Sequence, residues 1–183
     1  MKRITLALIV LLAGCLTANA QFTLEMTGLV ITEKPKQDFI VLDFGGKTQQ
    51  ELYQAVNVYL HSLYVNPQNV LSSVENQAIT INGKGKITTY WDVTYTISLA
   101  FKDGRIRINI PTILKLSADV NGVHDEKAIV GTSFLGQAGG VFDRKGKLLL
   151  PKMKTAVEDY FNGYISKLVT AANGYEGNNN NDW

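Results

Sequence analysis

From Tyr90 to Leu99 the chain alternates without a break, and Phe101 continues the apolar side past Ala100. Trp91, Val93, Tyr95, Ile97, Leu99 and Phe101 are apolar, and Tyr90, Asp92, Thr94, Thr96 and Ser98 fall between them. A period of two with one apolar side describes an antiparallel strand buried on one face and wet on the other. Lys102-Asp103-Gly104-Arg105 follows and carries the Asp-Gly signal of a tight hairpin turn. The returning strand then sets Ile106, Ile108 and Ile110 inward and Arg105, Arg107 and Asn109 outward. A chain built around this hairpin must supply something to cover one side of a sheet.

Two segments have the right pattern for that cover. Thr48 followed by Glu51 forms a capping box, and Leu52, Ala55, Val56, Tyr59, Leu60 and Leu63 make an apolar stripe at helical spacing, which Pro67 ends. A second helix is expected from Pro151, tolerated in a first turn, to the stop at Asn173-Gly174. Its stripe runs Met153, Ala156, Val157, Tyr160, Phe161, Tyr164, Ile165, Leu168 and Val169. Asp38 to Phe44 reads as a strand before the first helix, and Ala78 to Thr89 as a strand interrupted by Gly83 and Gly85. The expected class is therefore α+β: an antiparallel sheet with two helices on one face, in the order β-α-β-β-β-β-α, the other face open to water. Residues 119–147 are glycine-rich and read as irregular, with a small turn at Asp143-Arg144-Lys145-Gly146. This places one α+β domain over 37–173, an N-terminal extension over 21–36, and a solvated, disordered tail over 174–183.

The beginning of the chain reads as a targeting signal. Lys2 and Arg3 precede an apolar stretch from Ile4 to Gly14, short for a bilayer span but suited to a secretory leader. Ala18-Asn19-Ala20 fits the small-x-small cleavage rule, giving a signal peptide over 1–20 and Gln21 as the new amino terminus. Leu12-Ala13-Gly14-Cys15 fits a lipobox instead, with Cys15 as the candidate lipidation site, although the bulky Leu16 follows it. Both readings export the chain to a Gram-negative-type envelope, periplasmic or outer-membrane-associated, or outside the cell, and membrane anchoring is expected only if Cys15 is lipidated. Cys15 is the single cysteine of the 183 residues, so a disulfide scaffold is ruled out. No later apolar run is long enough to span a bilayer.

Charge narrows the function further. Lys+Arg is 18 and Asp+Glu is 16, and removing Lys2 and Arg3 leaves the two counts equal. A neutral domain offers no electrostatic case for nucleic acid. Gly46-Lys47-Thr48 mimics the end of a phosphate loop, but Val41 stands where the first glycine must be. Asp43-Phe44-Gly45 spells a kinase tripeptide without any of its companions. His124-Asp125-Glu126 offers three metal-ligand types in a row, with only the distant His61 to join them, and reads as a solvated loop. No cofactor is implied.

The segments before Thr48-Gln49-Gln50-Glu51-Leu52-Tyr53, the Ile79-x-Ile81-x-Gly83-x-Gly85 stretch, and Tyr95 through Arg105 with Arg107 resemble an exported bacterial envelope domain of unknown function with a TATA-binding-protein-like fold. The match covers about Phe39 to Val169. It implies the strand, helix, four-strand, helix order derived above, and it implies no site residues, because that family has no established activity. The fold name alone does not imply DNA binding.

The surface with functional promise is the open sheet face, where Tyr90, Asp92, Thr94, Thr96, Arg105 and Arg107 would form a polar, partly aromatic platform. The expected function is a non-enzymatic binding or interaction module of the cell envelope, with an unidentified protein, peptide or glycan ligand. Two alternatives are a hydrolase using Asp92, Asp125, Glu126 or Asp143 in a cleft made by 119–147, and a structural subunit pairing through an exposed edge strand.

Overall fold

A computed structural model describes residues 22–120, 122–131, 133–134 and 137–174. The segment read as a leader, both expected processing sites with Cys15, and the residues beyond 174 lie outside the described residues. Among the described residues twelve strands and three helices follow one another: β1 Phe22–Glu25, β2 Gly28–Ile31, β3 Phe39–Asp43, α1 Gln49–Leu63, α2 Pro67–Val70, β4 Leu71–Val74, β5 Ala78–Lys86, β6 Trp91–Lys102, β7 Arg105–Asn109, β8 Thr112–Val120, β9 Val123–Val130, β10 Ser133–Phe134, β11 Gln137–Ala138, β12 Gly140–Phe142 and α3 Pro151–Gly174.

The alternating strand is the centre of the main sheet. Eight strands run in the order β12-β9-β8-β6-β5-β4, with β7 inserted beside β6 and β3 beside β7. β6 is long enough to carry two partners on one side. Its Leu99–Lys102 end pairs with β7, and its Trp91–Thr96 end pairs with β8. The returning strand bends at Ile110-Pro111, and the register shifts again between Thr94 and Tyr95, throwing Leu114 outward and exposing it. Asp103-Gly104 makes the hairpin turn as expected, with Gly104 at φ 67°, a left-handed conformation that glycine takes without strain.

Burial follows the alternation. Val93, Tyr95, Ile97, Leu99 and Phe101 are buried on one face, and Trp91 at the strand end is half-buried. The same face collects Ile40 and Leu42 of β3, Ile79 and Ile81 of β5, Ile106 and Ile108 of β7, and Leu116 of β8. Both long helices seal it. Thr48 accepts from the Glu51 amide while the Glu51 carboxylate accepts from the Thr48 amide, so the capping box forms and starts α1 where the sequence placed it. α1 ends at Leu63; Pro67 opens the short α2 instead of closing α1. α3 buries Met153, Val157, Phe161, Tyr164, Ile165, Leu168 and Ala172. The opposite face keeps Asn82, Lys84, Arg105, Arg107 and Asn109 exposed.

Three parts differ from expectation. The stretch read as an extension over 21–36 holds the β1–β2 hairpin, whose Phe22, Leu24, Leu29 and Ile31 belong to the core. α3 clamps it: Asn162 accepts from the Phe22 amide at 2.7 Å and donates to the Phe22 carbonyl, and Glu158 accepts from the Leu24 amide at 2.8 Å. Segment 119–147 is not irregular throughout, because β9 returns antiparallel along β8. β12 then joins β9 in parallel, Gly140 opposite Ala128 and Phe142 opposite Val130, so the sheet is antiparallel except at that edge. The turn at 143–146 is present, its Asp143 carboxylate accepting from the Lys145 and Lys147 amides, which holds that carboxyl below the usual range. Finally, β4 adds a strand that the sequence pattern did not mark.

Candidate functional site

The six residues expected on the open face do not converge. Tyr90 is not on a strand: it sits in the bend before β6, where the Thr88 hydroxyl accepts from the Tyr90 and Trp91 amides. Asp92 opposes Lys86 on β5 and Ser117 on β8, and Ser117 opposes Glu126, so one polar row crosses four strands. Asp92 pairs with Lys84 at 2.9 Å and Lys86 at 3.9 Å. Thr96 donates to Asn82, and Thr94 lies between it and Asp92. Arg105 and Arg107 stand apart on β7. Arg105 meets Asp43 at 3.4 Å, and Arg107 lies 3.9 Å over the Phe39 ring. The level of Arg107 is four residues along β6 from Thr96, about 13 Å. The platform is thus two polar groups separated by the Ser98–Ala100 stretch.

The carboxylates considered for catalysis are similarly dispersed. Asp92 and Glu126 share the polar row two strands apart, about 10 Å, and each is tied to lysine. Asp125 turns to the other side of β9 and meets Lys127, while Asp143 is occupied by its own turn. In the His124-Asp125-Glu126 run, His124 reaches Glu126 and Asp119 through its two ring nitrogens, at 2.9 and 2.7 Å. Asp125 does not share their face. Among the described residues no group of three or more His, Cys, Asp or Glu is arranged to hold a metal ion.

A different concavity lies where the helical layer meets β5. It depends on two glycines. Residues 79, 81, 83 and 85 of β5 all point inward, and the first two are isoleucines. A Cβ on Gly83 would sit 2.5 Å from the Tyr95 ring, and one on Gly85 would sit 1.9 Å from the Tyr160 hydroxyl. The absent side chains are the space that these two rings occupy. Tyr95 and Tyr160 hydroxyls hydrogen-bond at 3.0 Å, Tyr64 bonds Tyr95 at 3.3 Å, and Tyr64 bonds Tyr164 at 3.1 Å. Four hydroxyls thus form one chain linking α1's end, β6 and α3. Burial raises the pKa of Tyr95 and Tyr164 well above the ordinary phenol value and raises that of Tyr160 too, so these three hydroxyls keep their protons.

The outer side of this network is open. A groove of about 410 Å³ runs between Tyr59 of α1 and Tyr64 just past its end, Tyr160 and Tyr164 of α3, and Lys84–Lys86 of β5. A second hollow of about 620 Å³ continues it past Lys86, Asp159 and Tyr160 to Ile87 and Lys152. Gly163 of α3 borders the first, and a Cβ there would meet nothing within 4 Å. Tyr160 and Tyr164 rings stack on each other at 6.2 Å and 27°, so edges and hydroxyls, more than ring faces, line the wall. Lys167 and Lys152 border the hollows with no ion pair among the described residues, and Lys84 and Lys86 share Asp92. The groove can bind and orient a ligand by hydrogen bonds and positive charge. Sequence reasoning missed it because each tyrosine sits within an apolar helical stripe or on the buried strand face; only the two glycines on a buried strand face signalled it.

The architecture, a many-stranded sheet with one face under two helices, is a TBP-like α+β fold. It is similar to the crystal structure of a TBP-like protein from Parabacteroides distasonis ATCC 8503, at 12% identity over 75% of this chain and 92% of that one, with a TM-score of 0.58. A DUF4468 family protein from Bacteroides ovatus ATCC 8483 matches at 13% identity over 75% of this chain and 85% of that one, TM-score 0.45. No family model matches the chain, and no curated protein does. At 12% identity the likeness to the Parabacteroides protein shows the fold alone.

Proposed function

We propose that this chain is a non-enzymatic binding module of a bacterial cell envelope, and that its ligand seats in the tyrosine groove between β5, α1 and α3. The observation that carries the reading is the groove itself: an open channel with a floor of mutually hydrogen-bonded tyrosine hydroxyls and lysines at its rim. Preformed concavities with a few placed polar groups are the usual form of ligand sites. Export is supported by Lys2-Arg3, the apolar stretch after them and the two competing processing sites. The dispersal of Asp92, Asp125, Glu126 and Asp143 favours binding over carboxylate catalysis.

The test uses immobilised protein beginning at Gln21, beside a Gly163→Gln variant that fills the groove from the helix side. Envelope proteins, peptides and glycan fragments are passed over both. Retention of a component by the parent and its loss on the variant supports the reading; equal retention, or none, overturns it. Amino-terminal mass analysis of the chain from envelope fractions should find Gln21 or a lipidated Cys15. Unprocessed chain confined to the cytosol would overturn the envelope assignment.

A further inference from the structure

The groove has one wall made of backbone, and its hydrogen-bonding direction can be read from the ladder. The Ile87 amide donates to the Trp91 carbonyl, and the Phe101 amide donates to the Gln77 carbonyl. Both are odd-numbered β5-side positions, so the odd residues of β5 exchange hydrogen bonds with β6. The even residues turn their N–H and C=O groups to the outer edge. There Ala78 and Thr80 meet Val74 and Ser72 of β4. β4 reaches no further than Ile81, where the chain turns into α2. Lys84 and Lys86 therefore direct two amides and two carbonyls into the groove, and among the described residues no backbone group answers them.

The side chains at this edge define what would fit. Lys84 and Lys86 are two residues apart and project to the same side, with exposures of 58% and 68%. Between them, Gly85 faces the tyrosines with no side chain of its own. A strand added antiparallel would place residues opposite Lys84 and Lys86, also two apart and on the lysine side. Its middle residue would stand across from Gly85 on the side of the Tyr160 hydroxyl, in the groove that Tyr59 also lines.

We propose, resting on the binding reading above, that the groove takes an extended peptide segment with carboxylates at alternate positions, laid antiparallel along the Lys84–Lys86 edge of β5. Main-chain hydrogen bonds supply the seat and the two lysines set register and charge preference. Lys152 and Lys167 bring further positive charge to the ends, against Asp159 and the Asp92 carboxylate already shared by the lysines. An acidic sugar chain suits the site less well. Its oxygens could accept from the backbone amides but could not match the alternating N–H and C=O row at strand spacing, and the Tyr160 and Tyr164 rings stack on each other instead of offering a free face.

The probes are a synthetic heptapeptide alternating threonine and glutamate, its glutamine counterpart, and a glucuronate oligosaccharide, each titrated into isotope-labelled protein beginning at Gln21. The glutamate peptide should bind, weaken with added salt, and slow hydrogen exchange at the Lys84 and Lys86 amides but not at Gly85, already bonded to β6. Lys84→Gln and Lys86→Gln should each lower its affinity about two- to fivefold, as expected for exposed ion pairs, and the fold should survive both. Peptide binding without protection at Lys84 and Lys86 overturns strand addition. Equal binding of the glutamine peptide overturns the charge assignment. If only the glucuronate probe perturbs the groove, the peptide inference fails and the binding reading stands. If no probe binds while the Gly163→Gln comparison still discriminates an envelope component, the peptide inference again fails alone.

Discussion

Gly83 and Gly85 are where single atoms decide most in this molecule. A methyl group at position 83 would press on the buried Tyr95 ring, which Phe161, Tyr160 and Tyr164 hem in on its other sides. Gly83→Ala should therefore cost about 1–3 kcal/mol, the usual penalty of overpacking, read as a lower urea midpoint with unchanged slope. Gly163 is the opposite case: it lies mid-helix with open space at its Cβ. Gly163→Ala should raise stability by about 0.4–1 kcal/mol in the same assay, by restricting the unfolded chain. The tyrosines beside these positions make a third prediction. Their folded pKa values are raised, so the stability they contribute is complete below the unfolded value near pH 10 and is lost as pH rises beyond it. In an alkaline titration followed by phenolate absorbance, Tyr95 and Tyr164 should ionise only as the protein unfolds. None of this was visible in the residues taken singly. Tyr95 and Tyr160 each satisfy an apolar periodicity, and nothing in either stripe says that their hydroxyls meet.

Elements whose pattern is strong and whose burial is one-sided were legible in advance. The β6–β7 hairpin and α1 with its capping box formed close to the residues that announced them. Elements at the sheet margins were not. β9 alternates poorly because neither of its faces is covered fully, and β12 has only Gly140, Val141 and Phe142 to show. Tyr90 continued the alternation of β6 on paper, but the Thr88 hydroxyl holds its amide in a bend. The β1–β2 hairpin shows how a marginal element is retained: its outer hydrogen bonds go to side chains of α3 and not to another strand. Asn162→Ala should accordingly speed hydrogen exchange at Phe22 while leaving the β5–β6 ladder protected, because only the clamp is lost. On the open face, His124 is held cationic above its ordinary pKa, first by Glu126 and then by Asp119. Glu126 is shifted downward by Lys115 and His124. A raised histidine contributes below its unfolded value near pH 6.5 and loses that contribution as pH climbs through the folded one; the lowered carboxylate does the reverse in acid. The ring resonances of His124 should titrate above pH 6.5, and Glu126→Gln should bring the midpoint down.

At the scale of the whole molecule, the decisive arrangement is a main eight-stranded sheet with a helical layer on one face and the other face open. The sequence carried this through the contrast between inward Ile/Leu/Val positions and outward Thr, Lys and Arg positions on the same strands. The groove was illegible because its parts come from residues 59–64, 84–87 and 151–167, which meet only after the fold is assembled.

The amide of Phe22 and the side chain of Asn162 are 140 positions apart along the chain. A polypeptide emerging amino end first, from a ribosome or through a pore, presents its opening hairpin long before the partner that holds it. Leu24 and Phe22 must wait, uncovered, until the final helix arrives. The hairpin is thus completed only once α3 has been made, and over the intervening stretch of chain Phe22 and Leu24 lack the cover that α3 gives them.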